Sequence, residues 1–190
     1  MQFVLASHNK KKMAEMAAIL SGLDIEVLPL PEDAPEPEET GATFEGNAMI
    51  KAKSAADFTG LPAIADDSGL CVDALGGAPG IYSARYCAGT DVERNAFLLR
   101  NMADKGDRTC RFVCAIACIL PDGGTLTVRG ECEGELLRES HGAGGFGYDP
   151  LFFVPAYGCT FAELPPETKN QISHRGRALR KLRGELEARL

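Results

Sequence analysis

Asp66 and Asp67 stand side by side in Pro62-Ala63-Ile64-Ala65-Asp66-Asp67-Ser68-Gly69, directly after an apolar run that reads as a short buried strand. Charges are costly to bury, so a cation or catalysis accounts for the pair; the bland alternative is a solvated Asx turn closed by Ser68 and Gly69. Glu38 and Glu39 add two more carboxylates. Hard oxygen ligands of this kind suit Mg²⁺, which keeps several waters and joins one or two carboxylates to substrate phosphates. The two glutamates also read as surface charge ending an acidic loop. Lys51 can supply a phosphate contact or sit solvated on its helix.

Three other runs carry matching chemistry. Ser7-His8-Asn9-Lys10-Lys11-Lys12 lies where a strand gives way to a helix. Backbone N–H groups, short polar side chains and lysines one turn in are what a polyphosphate requires; the same run also describes an ordinary capped helix with solvated lysines. Gly142-Ala143-Gly144-Gly145-Phe146-Gly147 has the spacing of a dinucleotide-binding fingerprint, but a strand follows it where that fingerprint needs a helix. Its glycines instead suggest a mobile loop that exposes Phe146 and Tyr148 to a base, or else a plain connection with a core aromatic. In Lys169-Asn170-Gln171-Ile172-Ser173-His174-Arg175-Gly176, His174 and Arg175 just before a helix can donate to carbonyl or phosphate oxygens, or belong to a polar loop.

The elements that must position these groups follow from periodicity. Residues 2–6 read as a buried strand, and Met13, Met16, Ala17 and Leu20 stripe a helix from Lys10. A strand over 25–30 precedes a Pro- and Glu-rich loop, and Thr43 caps a helix that Gly60 ends. The stretch 76–80 is too rich in Gly and Pro for an element. Thr90 and Glu93 make a capping box for a helix to about Lys105 with the stripe Val92, Ala96, Leu99 and Met102. A hairpin is expected over 110–133, a strand over 151–154, and a C-terminal helix striped by Leu179, Leu182, Leu186 and Leu190, with Arg177, Arg180, Lys181 and Arg183 on its solvated face. The pattern predicts an α/β protein with a mixed sheet in a single domain over 1–190.

Bulk properties narrow the function. A chain of 190 residues can bury a real core, and a net charge of −7 argues against a protein that coats nucleic acid or an anionic membrane. The seven cysteines are odd in number and form no CxxC, so free thiols are expected; Cys110, Cys114 and Cys118 fall in an apolar strand as small core residues. No membrane span and no signal-like start is visible, so a soluble cytoplasmic protein is expected. P-loop, GxSxG and HExxH signatures are absent.

Taken together, the motifs closely resemble the inosine triphosphate pyrophosphatase (Ham1-like) family of noncanonical purine nucleotide pyrophosphatases. They are Ser7-x-Asn9-x-x-Lys12, Glu39-Thr40-Gly41 with Phe44 and Asn47-Ala48, Ala65-Asp66-Asp67-Ser68-Gly69-Leu70, the run from Gly76 to Tyr86, Gly145-Phe146-Gly147-Tyr148-Asp149-Pro150 and Ser173-His174-Arg175-Gly176. They occur in the family's order over nearly the whole chain. His8 departs from the small residue the family often has, and Cys87 is a second departure. The resemblance implies a homodimeric α/β enzyme whose long mixed sheet, flanked by helices, carries a substrate cleft between two lobes. It implies Mg²⁺-dependent hydrolysis of ITP, dITP and XTP to the monophosphate and pyrophosphate. By motif position it makes Asp67 the general base and a metal ligand and Glu39, beside Glu38, the other metal carboxylate. Ser7, His8, Asn9, Lys10, Lys11 and Lys12 fall on the phosphates. Lys51, Ser68, Phe146, Gly147, Tyr148, Asp149, Lys169, His174 and Arg175 fall on substrate, and Lys12 and Lys51 join Asp67 in catalysis. A Maf-like pyrophosphatase of other modified nucleotides would lack the His174-Arg175 loop, and a non-catalytic nucleotide-binding module would need no carboxylate set.

Overall fold

The computed structural model describes residues 1–21 and 25–189, so Leu190 lies outside the described residues. Seven strands hydrogen-bond in the order β2-β1-β3-β4-β5-β6-β7: β1 Gln2–Leu5, β2 Glu26–Pro29, β3 Ala63–Val72, β4 Thr109–Ile119, β5 Thr125–Leu136, β6 Phe152–Val154 and β7 Cys159–Thr160. β1 is parallel to β2 and β3, whereas β6 is antiparallel to β5 and β7, so the sheet is mixed as expected. Five α-helices accompany it: α1 Lys10–Leu20, α2 Phe44–Thr59, α3 Asp91–Asn101, α4 Pro166–Ile172 and α5 His174–Glu187. A short 3-10 helix also covers Gly80–Arg85.

Local signals account for four of these helix ends. Asn9 accepts from Lys11 N and Lys12 N, and Thr43 accepts from Gly46 N. Gly60 ends α2 with φ 70, a conformation that costs a residue without Cβ little. The Thr90–Glu93 capping box opens α3. The chain folds as two compact units, Met1–Asp67 with Cys114–Gly130 and His174–Leu190, and Ser68–Val113 with Glu131–Ser173.

The first unit buries both faces of its strands. Phe3, Leu5, Ile64, Cys114, Ile116 and Cys118 pack with Met16 and Leu20 of α1 and Ala178, Leu179, Leu182 and Leu186 of α5. On the opposite face Val4, Ala63, Ala65 and Ala117 meet Ala48, Ala52 and Ala55 of α2. Those alanines recur at helical spacing, and their small size lets the α2 backbone lie close to the strands. α5 approaches β5 equally closely, since a Cβ at Gly130 would collide with His174 O and Ala178 N.

The second unit has its own core of Leu70, Val72, Leu98, Met102, Cys110, Phe112, Leu151, Phe152 and Phe161, with Phe112 and Phe161 stacked at 5.7 Å. Its α3 departs from the sequence expectation. The buried face is Asn95, Leu98 and Met102, whereas Val92 is 77% exposed and Ala96 is exposed. Leu98 and Met102 share a face at i,i+4 spacing, and Asn95 joins it because its amide meets a backbone carbonyl that an apolar residue would leave unpaired.

Candidate active site

Asp66 and Asp67 lie inside β3, not after it in a turn. The register places Val4 opposite Ala63 and Leu5 opposite Ile64, so the pair follows immediately beyond the end of β1. Ser7–Asn9 leaves that same end, the C-terminal end of two parallel strands, where open α/β sheets bind ligands. Strand geometry then separates the two carboxylates. Successive side chains point to opposite faces, so Asp66 follows Ile64 to the side of α1 and α5 and Asp67 follows Ala65 to the side of α2.

On the α1 and α5 side, Asp66 belongs to a chain of alternating charge. Lys12 Nζ is 3.2 Å from its Oδ2 and Arg175 Nη2 is 3.3 Å from the same oxygen, while Arg175 Nη1 pairs with Glu15. Lys12 and Glu15 are i,i+3 on α1 and so share a face. Burial works against the Arg175 charge, but Asp66, Cys114 and Glu15 outweigh it and hold the guanidinium protonated more firmly than usual.

On the α2 side, Lys51 Nζ lies 2.8 Å from Glu39 Oε1 and 3.2 Å from Asp67 Oδ1. One ammonium thus bridges two carboxylates. Its pKa is raised: burial opposes the charge, but Asp67, then Asp66 and Glu39, more than compensate. Asp67 is raised too, by burial first and by Glu39, with Lys51 and Lys12 pulling the other way. Its Oδ2 is buried and has no hydrogen-bond partner among the described residues. Asn47, one turn before Lys51 on α2, fixes the approach of the acidic loop by accepting from Gly41 N at 2.8 Å.

These residues fit a Mg²⁺ ion. Among the described residues no group of three His, Cys, Asp or Glu gathers. Two carboxylates already held around one cationic group, one of them with an unbonded buried oxygen, are the donor set of an ion that takes its other ligands from water and phosphate. Glu38 is exposed and makes no ion pair among the described residues, so Glu39 is the glutamate that this cluster holds.

Around Ser7–Lys12 the structure changes the basis of the phosphate reading. The N–H groups of Lys11 and Lys12 are bound by Asn9 Oδ1 at 3.1 Å each, and Ser7 Oγ accepts from Asn9 N. The cap therefore uses helix-start donors that a phosphate would otherwise take. Lys12 is half-buried beside Asp66, whereas His8, Lys10 and Lys11 are exposed.

The second unit holds a separate cluster. Lys169 is not in a loop but in α4, buried, with its Nζ 2.8 Å from Asp149 Oδ2. The same ammonium lies 4.9 Å from the Phe146 ring and 5.8 Å from the Phe161 ring. Asp149 Oδ2 also accepts from Phe146 N, and Gly145 at φ 67 leaves that oxygen room, since a Cβ there would collide with it. Of the two readings of Tyr148, exposed to a base or a core aromatic, the structure has the second: it is buried and donates its hydroxyl proton to Ser83 O at 2.7 Å. Burial raises the Tyr148 pKa. Ser68 is half-buried in β3.

His174 and Arg175 are also displaced from expectation: they are the first residues of α5, and both are buried. Ser173 before them is extended, which let the sequence read as loop up to the helix. Sequence reasoning missed Glu15, which was legible as the i+3 neighbour of Lys12.

All seven cysteines are free thiols. No helix among the described residues is long and apolar enough to cross a membrane.

Residues 3–185 match the sequence model of the Ham1 family. A protein of Geobacter sulfurreducens named dITP/XTP pyrophosphatase is 52% identical over 97% of this chain and 96% of the relative. One of the same name from Pseudomonas aeruginosa is 51% identical over 97% and 96%. The solved Ham1 protein of Coxiella burnetii superposes with a TM-score of 0.91 at 48% identity, covering 99% of each chain.

Proposed function

The chain belongs to the Ham1 family, and from that premise we propose that it hydrolyses ITP, dITP and XTP to the nucleoside monophosphate and pyrophosphate, a hydrolase acting on an acid anhydride. The observation that carries this reading is Lys51 bridging Glu39 and Asp67 while Asp67 keeps a buried oxygen without a hydrogen bond. Such an oxygen is an acceptor ready for water. Placed there, the carboxylate can orient an attacking water and take its proton.

Glu39 and Asp67 would hold Mg²⁺, which supplies charge neutralisation of the triphosphate and polarisation of a phosphoryl oxygen. Lys51, released from its carboxylates as the triphosphate arrives, and Lys12, drawn from Asp66, would stabilise charge on the departing pyrophosphate. The bond broken is the anhydride between the α and β phosphates. Ser7 and Asn9 stand beside Lys12, with Lys10 and Lys11 as outer charge.

For the base, hypoxanthine and xanthine present a 6-keto acceptor to His174 and Arg175. Both side chains carry N–H donors, and Arg175 is held in place by Glu15 and Asp66. Adenine's 6-amino group would leave such donors unmatched at about 1–3 kcal/mol each. Phe146 offers a face for base stacking, and Lys169 and Asp149 set its position. The same reading takes the enzyme as a cytoplasmic homodimer acting on free nucleotides; light scattering on purified protein tests the dimer.

Pyrophosphate release measured with ATP, GTP, CTP, UTP, ITP, XTP and dITP tests the function. Turnover confined to ITP, XTP and dITP is expected. Equal rates across the panel would remove the selectivity, and no pyrophosphate from any substrate would remove the activity.

A further inference from the structure

We infer that Asp91 and Asn95 of α3 are positioning residues that set nucleotide affinity by clamping the backbone beside Phe146. The inference rests on the reading that Phe146 stacks on the base. Gly147, the next residue, is held from both sides: Asp91 Oδ2 accepts from Gly147 N at 2.8 Å, and Asn95 Nδ2 donates to Gly147 O at 3.1 Å. One helix face supplies both groups, because residues four apart lie one above the other.

That face is itself fixed. The Thr90–Glu93 capping box anchors the start of α3, and Arg94 Nη2 holds the other oxygen of Asp91 at 2.8 Å. Asp91 thus has one oxygen for the helix and one for the loop. Gly147 has φ 60, one of many conformations open to a residue without Cβ, so the bonds from α3 are what select that shape on one side of Phe146. On the other side Asp149 holds Phe146 N.

Asn95 points to the same role through what it lacks. It is buried among Leu98 and Met102 on the core face of α3, and its Oδ1 has no hydrogen-bond partner among the described residues. A buried amide satisfied at only one end is a poor way to fill a core. Its one gain is the bond to Gly147 O. The two residues hold the peptide after Phe146 in a fixed plane, and with it the direction of the ring beneath Lys169.

Steady-state pyrophosphate release from dITP tests this with Asp91→Ala, Asn95→Ala, Phe146→Ala and the double variants. The single clamp variants are expected to raise KM about fivefold with kcat within about twofold, the pattern of lost binding without lost chemistry. Asp91→Asn keeps an acceptor for Gly147 N and should restore KM toward the parent value. In the Phe146→Ala background, removing the clamp should raise KM no further, whereas a purely structural role would add its effect in full. Asp91 has a side chain 48% exposed, so Asp91→Ala carries the test if Asn95→Ala fails to fold. A raised KM in Phe146→Ala with unchanged KM in both folded clamp variants would overturn the inference alone. An unchanged KM in Phe146→Ala would overturn the stacking reading and the inference together.

Discussion

Lys51 in the first unit and Lys169 in the second are both lysines enclosed by protein and held by carboxylates, yet their surroundings are opposite. Lys51 is divided between Glu39 and Asp67, and Asp67 retains a buried oxygen with no hydrogen bond. Lys169 has Asp149 at 2.8 Å and two aromatic rings beneath it, and the same Asp149 oxygen also holds Phe146 N. A divided arrangement gains when a ligand takes over one of its bonds. A closed one only loses. On the proposed function, this contrast matches exchange of partners in the first cluster and fixed geometry in the second.

The largest test of that contrast is metal removal. With excess EDTA, turnover of dITP should fall to background and return with Mg²⁺, while the thermal unfolding midpoint moves little; full activity under EDTA would remove the metal from the first cluster. Next, Asp149→Ala should cost about 3–5 kcal/mol in urea unfolding, because it removes the carboxylate held 2.8 Å from a buried ammonium. A loss below about 1 kcal/mol would show that the second cluster is not the closed pair described. Lys51→Ala should lower kcat on the order of 10²–10³-fold, whereas Asp149→Ala should act first on stability. The smallest effect is a null one. Burial pushes the Cys110 and Cys118 thiols up to about 12, so raising the pH from 7 to about 9 should leave both unalkylated in the native protein. Labelling of Cys110 or Cys118 in the native state would contradict the burial of both cores.

Helix ends were legible in the sequence because their signals are local: Thr43, Gly60 and the Thr90–Glu93 box act on backbone groups within a few residues. The charged residues of the first cluster were legible as a set through the resemblance, but not their arrangement. Two successive aspartates have no strand preference; β3 runs on through them because Lys12, Arg175 and Lys51 receive them on its two faces. The same long-range cause hid Lys169, buried in α4, and left the sequence undecided between an exposed and a core Tyr148, which its bond to Ser83 O resolves. The α3 stripe failed at Asn95, where periodicity treats a polar residue as outward and a tertiary hydrogen bond turns it inward.

Asp67→Asn is the most direct test, measured with dITP at saturating Mg²⁺ alongside urea unfolding at pH 7. The folded-state pKa of Asp67 lies above its usual value, so the ionised group opposes folding increasingly as pH rises through that pKa, and removing its charge should not lower the unfolding midpoint. The account predicts kcat reduced on the order of 10²–10⁴-fold with KM changed by less than about fivefold. A kcat near that of the parent protein would contradict the assignment of the chemistry to Asp67.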